Sequence, residues 1–233
     1  MTPADIGLDH SLARLGSTAN LDDRLNALRH LLIYWKGDWP PHSDPVSPTL
    51  PSSMQSWIAW GGASDELWVH NSFAPPEKMD RREDGLLPFH FECQGVYSWA
   101  TEPSGVDPDV YGRFPEETSW TPEGRTLSEH LITAFLYERL CEAPFQAFTA
   151  YVDEPELAQI ERHVALLPIA PWRWSMPHNA FHASAGVFAF IGRSRAGDGR
   201  GGNLHIAARS PELLAFLEPL NIDWDFDRLR RPS

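Results

Sequence analysis

Proline is the residue that most restricts how this chain can fold. The sequence holds 21 prolines among 233 residues, about twice the usual proportion. Proline fixes φ and lacks a backbone N–H, so it ends helices and cannot donate to a β-ladder. Five prolines fall within residues 40–51, which we expect to form an extended connection. This distribution predicts many short elements joined by rigid segments instead of a few long helices.

The strongest helical pattern precedes that connection, at residues 21–35. Apolar residues recur there at steps of four and three, the spacing of one helix face. The apolar positions are Leu21, Leu25, Leu28, Leu32 and Trp35. Asn20 is a suitable N-cap, and Gly37 is a suitable end. We expect residues 1–46 to form an N-terminal helix and a proline-rich linker.

Residues 47–142 combine short helices with short strands. Pro51 is placed to open a helix, and Gly61 is placed to end it. The predicted inner face of this helix holds Met54, Trp57 and Ile58. Apolar and aromatic runs predict strands at residues 67–70, 86–91 and 95–100. Thr126 and Glu129 have the spacing of a capping box, which predicts the start of a further helix.

Residues 143–233 are predicted to form an α/β extension. A strand is predicted at residues 147–152, and Asp153 is a suitable cap for the helix after it. The apolar positions of that helix are Leu157, Ile160, Val164 and Leu167. Residues 181–191 and 204–208 predict a hairpin, and the pair Ser210 and Pro211 predicts a last short helix. The whole pattern predicts an α+β fold in which residues 1–233 form a single compact unit.

The charge of the chain is acidic and unevenly distributed. The formal net charge is -13, and residues 61–120 alone hold 12 acidic and 4 basic side chains. Such a field repels phosphate backbones and anionic membranes and attracts basic partners. We therefore expect no binding to nucleic acid or to membranes. An alternative explanation of the acidic excess is solubility alone.

Cysteine usage and hydropathy indicate a compartment. Cys93 and Cys141 are the only cysteines, too few for a disulfide framework in a chain of this length. The first residues lack the basic and apolar regions of a signal peptide, and no stretch approaches the ~20 apolar residues of a membrane span. We expect a cytoplasmic protein.

Histidine and aspartate spacings do not support a metal site. His178 and His182 lie four residues apart, as zinc ligands on a helix would, with His163 and His205 as further candidates. The strand-like run that starts at residue 181 argues against a helix there. The aspartates at the C-terminus, which lack the glycine and glutamate of a calcium loop, are Asp223, Asp225 and Asp227. We expect neither a metal nor a cofactor.

Other catalytic patterns are equally weak. The glycines of residues 197–202 precede a predicted strand, whereas a dinucleotide-binding loop must open a helix. Cys93 follows Glu92, whose charge would raise the pKa of the thiol and oppose nucleophilic activation. Cys93 is therefore interpreted as a buried or half-buried structural thiol. The sequence predicts no catalytic residues.

Four segments follow one another in a recognisable order. Residues 50–62 hold a leucine-proline pair and a predicted helix that ends at glycine, and residues 87–99 hold a Gln-Gly pair with a following tryptophan. Residues 107–111 are acidic and bear a proline, and residues 120–138 hold a tryptophan and a predicted helix. In this order they resemble the opening helix, central hairpin, acidic segment and closing helix of the SUKH superfamily of bacterial immunity proteins and fungal cell-wall regulators. The superfamily usually has asparagine where Cys93 stands, and residues 145–233 lie outside the resemblance.

The resemblance implies helices packed against a mixed, mainly antiparallel sheet, with residues 47–142 as its core. It also implies a non-catalytic immunity protein that binds and neutralises a cognate polymorphic toxin, such as a basic nuclease. One alternative is an intracellular scaffold or regulatory binding module of the same fold. A second alternative is a hydrolase or metal enzyme whose site lies in the C-terminal block.

An aromatic and acidic cluster is the best candidate for a partner-binding surface. Interfaces favour aromatic anchors, and carboxylates around them would attract a basic partner. The members are Tyr97, Trp99, Glu102, Asp107, Asp109, Tyr111, Glu116, Glu117 and Trp120. The alternative is that the aromatic members fill the core. Strand alternation places Tyr97 and Trp99 on one face, so we expect the same environment for both.

Overall fold

The structure, a computed structural model, describes residues 14–16, 20–36, 46–174, 178–184, 186–193 and 201–229. Its helices are α1 (Leu21–Lys36), α2 (Ser52–Trp60), α3 (Leu127–Glu142) and α4 (Glu154–Ile160), with 3-10 helices at Asp65–Leu67, Pro76–Lys78 and Pro211–Leu217. Its strands are β1 (Ser72–Phe73), β2 (Leu87–Phe91), β3 (Ser98–Thr101), β4 (Asp109–Arg113), β5 (Thr121–Thr126), β6 (Phe145–Val152), β7 (Ala165–Leu166), β8 (Asn179–Ser184), β9 (Val187–Arg193), β10 (Gly202–Ala208) and β11 (Phe226–Asp227). The strands form two antiparallel sheets, and the predicted α+β class is confirmed.

The chain divides into two compact units. The central unit comprises residues 39–139, and the terminal unit comprises residues 1–38 and 140–233. The boundary at 139/140 lies close to the predicted start of the C-terminal extension at residue 143. The N-terminal helix belongs to the terminal unit, which its sequence pattern does not indicate. Behaviour of residues 1–233 as a single unit stays a prediction.

Helix α1 begins where the sequence predicts. The side-chain oxygen of Asn20 accepts a hydrogen bond from the backbone N–H of Asp23 at 2.9 Å, which is the geometry of an N-cap. The buried leucines of its apolar face are Leu25, Leu28 and Leu31. The side chains of Leu32 and Trp35, and residues 37–45 with Gly37, lie outside the described part of the chain.

The central unit is built on a five-stranded sheet of order β1-β2-β3-β4-β5. Helix α2 ends at Gly61, whose φ of 96° is a left-handed value that favours glycine. A Cβ at Gly62 would lie 2.1 Å from the Trp57 ring, so close packing also requires that glycine. The predicted inner face of α2 is confirmed, since its buried residues include Met54, Trp57 and Ile58.

Helix α3 also begins as predicted. The backbone N–H of Thr126 donates to the carboxylate of Glu129 at 3.1 Å, which is the reciprocal half of a capping box. The Phe135 ring of α3 packs edge-on against Trp57 of α2 at 5.8 Å between centroids. His130 of α3 reaches the sheet at Phe89, with 5.4 Å between their centroids. Helices therefore pack against the antiparallel sheet through aromatic contacts.

The strand predicted at residues 67–70 is wrong. Residues Asp65–Leu67 form a 3-10 helix, and residues 68–71 form a bend with no strand pairing. The backbone N–H groups of Val69, His70 and Asn71 all donate to the carboxylate of Glu138, at 2.6 to 3.0 Å. A side chain of α3 thus accepts the hydrogen bonds that these backbone N–H groups would donate to a neighbouring strand.

The terminal unit contains a six-stranded sheet of order β11-β6-β10-β9-β8-β7. Strands β9 and β10 pair as antiparallel neighbours, as the predicted hairpin requires. The prediction of one strand over residues 181–191 is wrong, because β8 and β9 fold back on each other there. Gly186 has a φ of 80° at the turn between them, a value that a larger residue would adopt only with strain.

Helix α4 is shorter than its apolar pattern predicts. It ends at Ile160, and residues Ala165–Leu166 instead form β7, which pairs with β8. Asp153 occupies the N-cap position but makes no side-chain capping hydrogen bond. The 3-10 helix that begins at Pro211 confirms the predicted last short helix. Within the described residues, no helix combines the length and the apolar character that crossing a bilayer requires.

Candidate functional site

The predicted aromatic and acidic cluster is divided between the two faces of the central sheet. Trp99 of β3 pairs with Gly112 of β4, whereas Ala100 pairs with Tyr111. Paired residues share a face and successive residues alternate. Trp99 and Tyr111 therefore point to opposite sides of the sheet.

The inner side of this sheet holds Trp99 in the core. Its side chain is fully buried and stacks on His90 with 4.4 Å between ring centroids. Tyr97 is half-buried, packs edge-on against Trp99 at 5.0 Å, and donates its hydroxyl hydrogen to Glu123 at 2.9 Å. A Cβ at Gly112 would lie 2.2 Å from that hydroxyl. Trp99 is thus a core residue, and Tyr97 is oriented by the same packing.

The outer side presents two oriented aromatic rings. The Tyr111 hydroxyl donates to Glu102 at 3.3 Å, and the Trp120 indole N–H donates to Asp84 at 2.9 Å. The guanidinium of Arg113 lies 4.4 Å from the centroid of the Trp120 ring, which is a cation–π distance. Both rings are half-buried. The hydrogen bond from Trp120 lowers the pKa of Asp84, so the acceptor stays ionised.

The acidic members of the cluster have different roles. Asp107 accepts hydrogen bonds from the backbone N–H and the hydroxyl of Ser128, at 2.8 and 2.7 Å, so it caps the first turn of α3. Glu117 accepts the backbone N–H of Phe114 at 3.1 Å. The exposed carboxylates of the cluster are Glu102, Asp109, Glu116 and Glu117.

The loops on either side of β4 each carry an exposed apolar residue. The loop between β3 and β4 carries Val106, which is 77% exposed, and the loop after β4 begins with Phe114, which is 41% exposed. A five-residue strand spans about 14 Å, so β4 separates these two loops by that distance. The Phe114 ring packs edge-on against Tyr97 of the inner side, with 4.7 Å between their centroids. We therefore leave it out of the set that we call the β4 surface: Glu102, Val106, Asp109, Tyr111, Glu116, Glu117 and Trp120.

A pair of histidines lies buried on the inner side. His90 Nδ1 and His130 Nε2 are 3.0 Å apart, and both side chains are fully buried. Burial lowers the pKa of His90 to about 3 and holds the pKa of His130 well below its usual value. Both imidazoles are therefore neutral at physiological pH, so one donates the hydrogen bond and the other accepts it.

A second cluster joins three potential metal ligands. The side-chain ligand atoms of His70, Glu92 and Cys93 all lie within 4.8 Å of one another. The Cys93 thiol donates to Glu92 Oε1 at 3.0 Å, and Cys93 Sγ lies 3.7 Å from His70 Nε2. Cys93 and His70 are exposed, so the interpretation of Cys93 as a buried or half-buried thiol is wrong. No local spacing indicated this cluster, because His70 comes from a different loop.

The charge of Glu92 affects the thiol as the sequence predicts. Burial and the hydrogen bond to Glu92 raise the pKa of Cys93. Burial raises the pKa of Glu92, but the hydrogen bonds it accepts from Cys93, Gln94 and Val96 outweigh burial and lower that pKa overall. A protonated thiol beside a carboxylate is a poor nucleophile, so the geometry does not favour thiol catalysis.

The other predicted ligand candidates do not assemble. Asn179 opens β8, so His178 and His182 do not lie on a helix, and a strand separates such residues by about 13 Å. His182 lies 3.8 Å from Glu161. Asp225 accepts the backbone N–H of Ala150 at 2.7 Å, so it ties the C-terminal segment to β6.

The glycine-rich and aspartate-rich segments have structural roles where they are described. Gly202 begins β10, so the glycines precede a strand, as predicted, and residues 194–200 lie outside the described part. Asp227 lies in β11 and accepts the backbone N–H of Leu229 at 2.7 Å. These positions do not form a calcium loop.

Comparison with known protein families, with curated proteins and with solved structures found no match to this chain.

Proposed function

We propose that this chain is a non-catalytic immunity protein that binds a cognate polymorphic toxin in the cytoplasm and occludes it. The SUKH-like segments motivate the class of partner. The β4 surface supports the manner of binding, because it combines aromatic rings, an exposed apolar side chain and carboxylates on β4 and in the segments that flank it.

The orientation of Tyr111 and Trp120 is the observation that carries the proposal. Each ring is held by a hydrogen bond to a carboxylate and remains half-buried. Aromatic residues that are already oriented lose little conformational entropy on binding, which makes them effective anchors. Val106 adds exposed apolar area at one end of the strand.

The charge of the β4 surface favours a basic partner. The exposed carboxylates Glu102, Asp109, Glu116 and Glu117 lie on β4 and in the loops that flank it, and residues 61–120 carry an acidic excess. Charges of this kind attract a basic protein over a distance of about 10 Å at ordinary salt and orient the encounter. Occlusion by such a surface needs no reacting group.

Coexpression with the toxin encoded beside this gene tests the proposal. We expect a stable complex, loss of toxin activity, and hydrogen-exchange protection over residues 102–120. A toxin of the same class from a different gene neighbourhood is the control and should not bind. No complex with the cognate toxin, or protection confined to the terminal unit, would contradict the proposal.

A further inference from the structure

We infer that His70, Glu92 and Cys93 form a binding site for one divalent transition-metal ion of the zinc type. None of these three residues belongs to the histidine and aspartate sets whose sequence spacings argued against a metal site.

The distance between the sulfur and nitrogen ligands of the cluster fits a metal centre. Ligands of a tetrahedral zinc site lie about 2.0 to 2.3 Å from the ion, so a sulfur and a nitrogen ligand lie about 3.6 Å apart. Cys93 Sγ and His70 Nε2 are 3.7 Å apart. Cys93 Sγ and Glu92 Oε1 are 3.0 Å apart, so a small rotation of either side chain admits the ion.

The donor set selects the kind of metal. Thiolate, imidazole and carboxylate together favour zinc and its borderline neighbours over magnesium or calcium, which prefer oxygen alone. Metal binding replaces the proton of the Cys93 thiol, which leaves to solvent. Three protein ligands leave a fourth tetrahedral position for water or for an incoming ligand.

Backbone hydrogen bonds hold the carboxylate ligand in place. Glu92 is buried, and its Oε2 accepts the backbone N–H groups of Gln94 and Val96 at 2.8 and 3.3 Å. These bonds occupy one carboxylate oxygen and leave Oε1 directed at Cys93. A ligand oriented in this way loses less entropy when it binds an ion.

Glu138 positions the other two ligands. Its carboxylate accepts the backbone N–H of His70 and the side-chain amide of Asn71. The Asn71 amide oxygen in turn accepts the backbone N–H of Cys93 at 3.3 Å. One fully buried carboxylate therefore ties the loop that carries His70 to the turn that carries Cys93.

The site is accessible from solvent. His70 and Cys93 are exposed, and the neighbouring apolar residues Val69 and Val96 are 57% and 41% exposed. An ion can therefore enter without unfolding of the central unit.

Titration of the full-length, reduced, metal-stripped chain with Co²⁺ tests the inference. We expect a thiolate-to-cobalt charge-transfer band and intense visible bands typical of tetrahedral cobalt, with saturation at one ion per chain. Added Zn²⁺ should displace the cobalt. Cys93→Ser should abolish the charge-transfer band, and His70→Gln should weaken cobalt binding by about 100-fold or more, since even outer ligands change affinity by 10- to 100-fold.

Cys141→Ser is the matched control because it removes the other cysteine and leaves the cluster intact. It should bind cobalt as the unaltered chain does, and circular dichroism should show that all three variants are folded. The inference is overturned if the unaltered chain shows no charge-transfer band. Equal cobalt affinity in the unaltered chain and in both Cys93→Ser and His70→Gln would also overturn it.

Discussion

The central unit buries more ionisable side chains than the terminal unit does, among the described residues. The central unit buries several ionisable groups among its aromatic rings: His90, Glu92, Glu123, Arg125, His130, Glu138 and Arg139. The terminal unit contains a cluster of mainly aliphatic residues: Ala147, Val152, Leu157, Ile160, Val164, Val187, Ala189, Ile191, Leu204, Ile206, Ala208, Leu214 and Leu217. Its buried ionisable groups, among the described residues, are Arg24, His182 and His205.

The two kinds of buried side chain have different roles: apolar ones stabilise the fold, and polar ones fix the position of particular loops. Aliphatic burial is non-directional and stabilises a fold roughly in proportion to area. Buried polar groups require defined partners, so they hold particular loops in particular places. The buried Glu138 does so for residues 69–71, and the half-buried Asp107 links the loop after β3 to α3 in a similar way. Both candidate sites lie in the unit that contains these groups.

Removal of Glu138 should produce a large loss of stability. Glu138→Ala leaves the donors of residues 69–71 without their acceptor, and we expect the free energy of unfolding to fall by about 3 to 5 kcal/mol. Denaturant titration measures this change. Glu161→Ala is the control in the terminal unit, where a partly exposed carboxylate pairs with Arg193; its cost should be about 0 to 1 kcal/mol. Equal losses would contradict the distinction between the units.

Acid should act through the buried histidines of the central unit. The pKa of His90 is lowered to about 3 in the folded chain, and burial also lowers the pKa of His130. The unfolded chain takes up protons first as the pH falls below about 6.5, so this contribution is complete above that pH and is lost on acidification. From pH 7.5 to 5.5 the free energy of unfolding should fall by about 2 to 3 kcal/mol.

The double variant His90→Gln, His130→Gln isolates the contribution of the two buried histidines to the acid dependence of stability. It should be less stable at neutral pH but should lose much less stability between pH 7.5 and 5.5, measured by denaturant titration at each pH. His178→Gln, at an exposed position, should keep the full acid dependence. An unchanged acid dependence in the double variant would mean that other groups are responsible.

Substitution of Trp120 should affect mainly partner binding, whereas substitution of Trp99 should affect mainly the stability of the central unit. Trp120→Ala should lower the free energy of unfolding by less than about 1 kcal/mol because the ring is half-buried, yet weaken partner binding by about 2 kcal/mol through faster dissociation. Thermal unfolding measures the change in stability, and binding kinetics with an immobilised partner measure the dissociation rate on the same samples. Trp99→Ala should instead destabilise the fold by about 3 to 5 kcal/mol. Unchanged dissociation in Trp120→Ala would remove that residue from the interface.

Local signals predicted several elements correctly, and distant contacts explain the errors. Asn20, Gly61 and Glu129 act within a few residues of their own helix ends, so sequence alone was sufficient there. The strand predicted at residues 67–70 failed because Glu138, far along the chain, takes the backbone donors. Local apolar periodicity likewise could not show that β7 would pair with β8.

The candidate sites were predictable only in part. The sequence showed that aromatic and acidic residues coincide, but the environment of Trp99 and Trp120 depends on strand pairing, which it did not specify. Tyr97 and Trp99 share a face, as alternation predicts, yet only Trp99 is fully buried. The cluster of His70, Glu92 and Cys93 forms across two loops and gives no sequence spacing to recognise.

Association kinetics with the proposed cognate toxin, measured as a function of salt, test the central claim most directly. The variant Glu102→Gln, Asp109→Asn, Glu116→Gln, Glu117→Gln removes the exposed carboxylates of the β4 surface and leaves Asp107 in its capping role. Its matched control removes four exposed carboxylates of the terminal unit: Asp22→Asn, Glu212→Gln, Glu218→Gln, Asp223→Asn. We predict that the first variant associates about tenfold more slowly at low salt, with a weaker salt dependence, because exposed charges act mainly on the association rate. Equal association rates and salt dependence in the two variants would contradict a partner surface along β4.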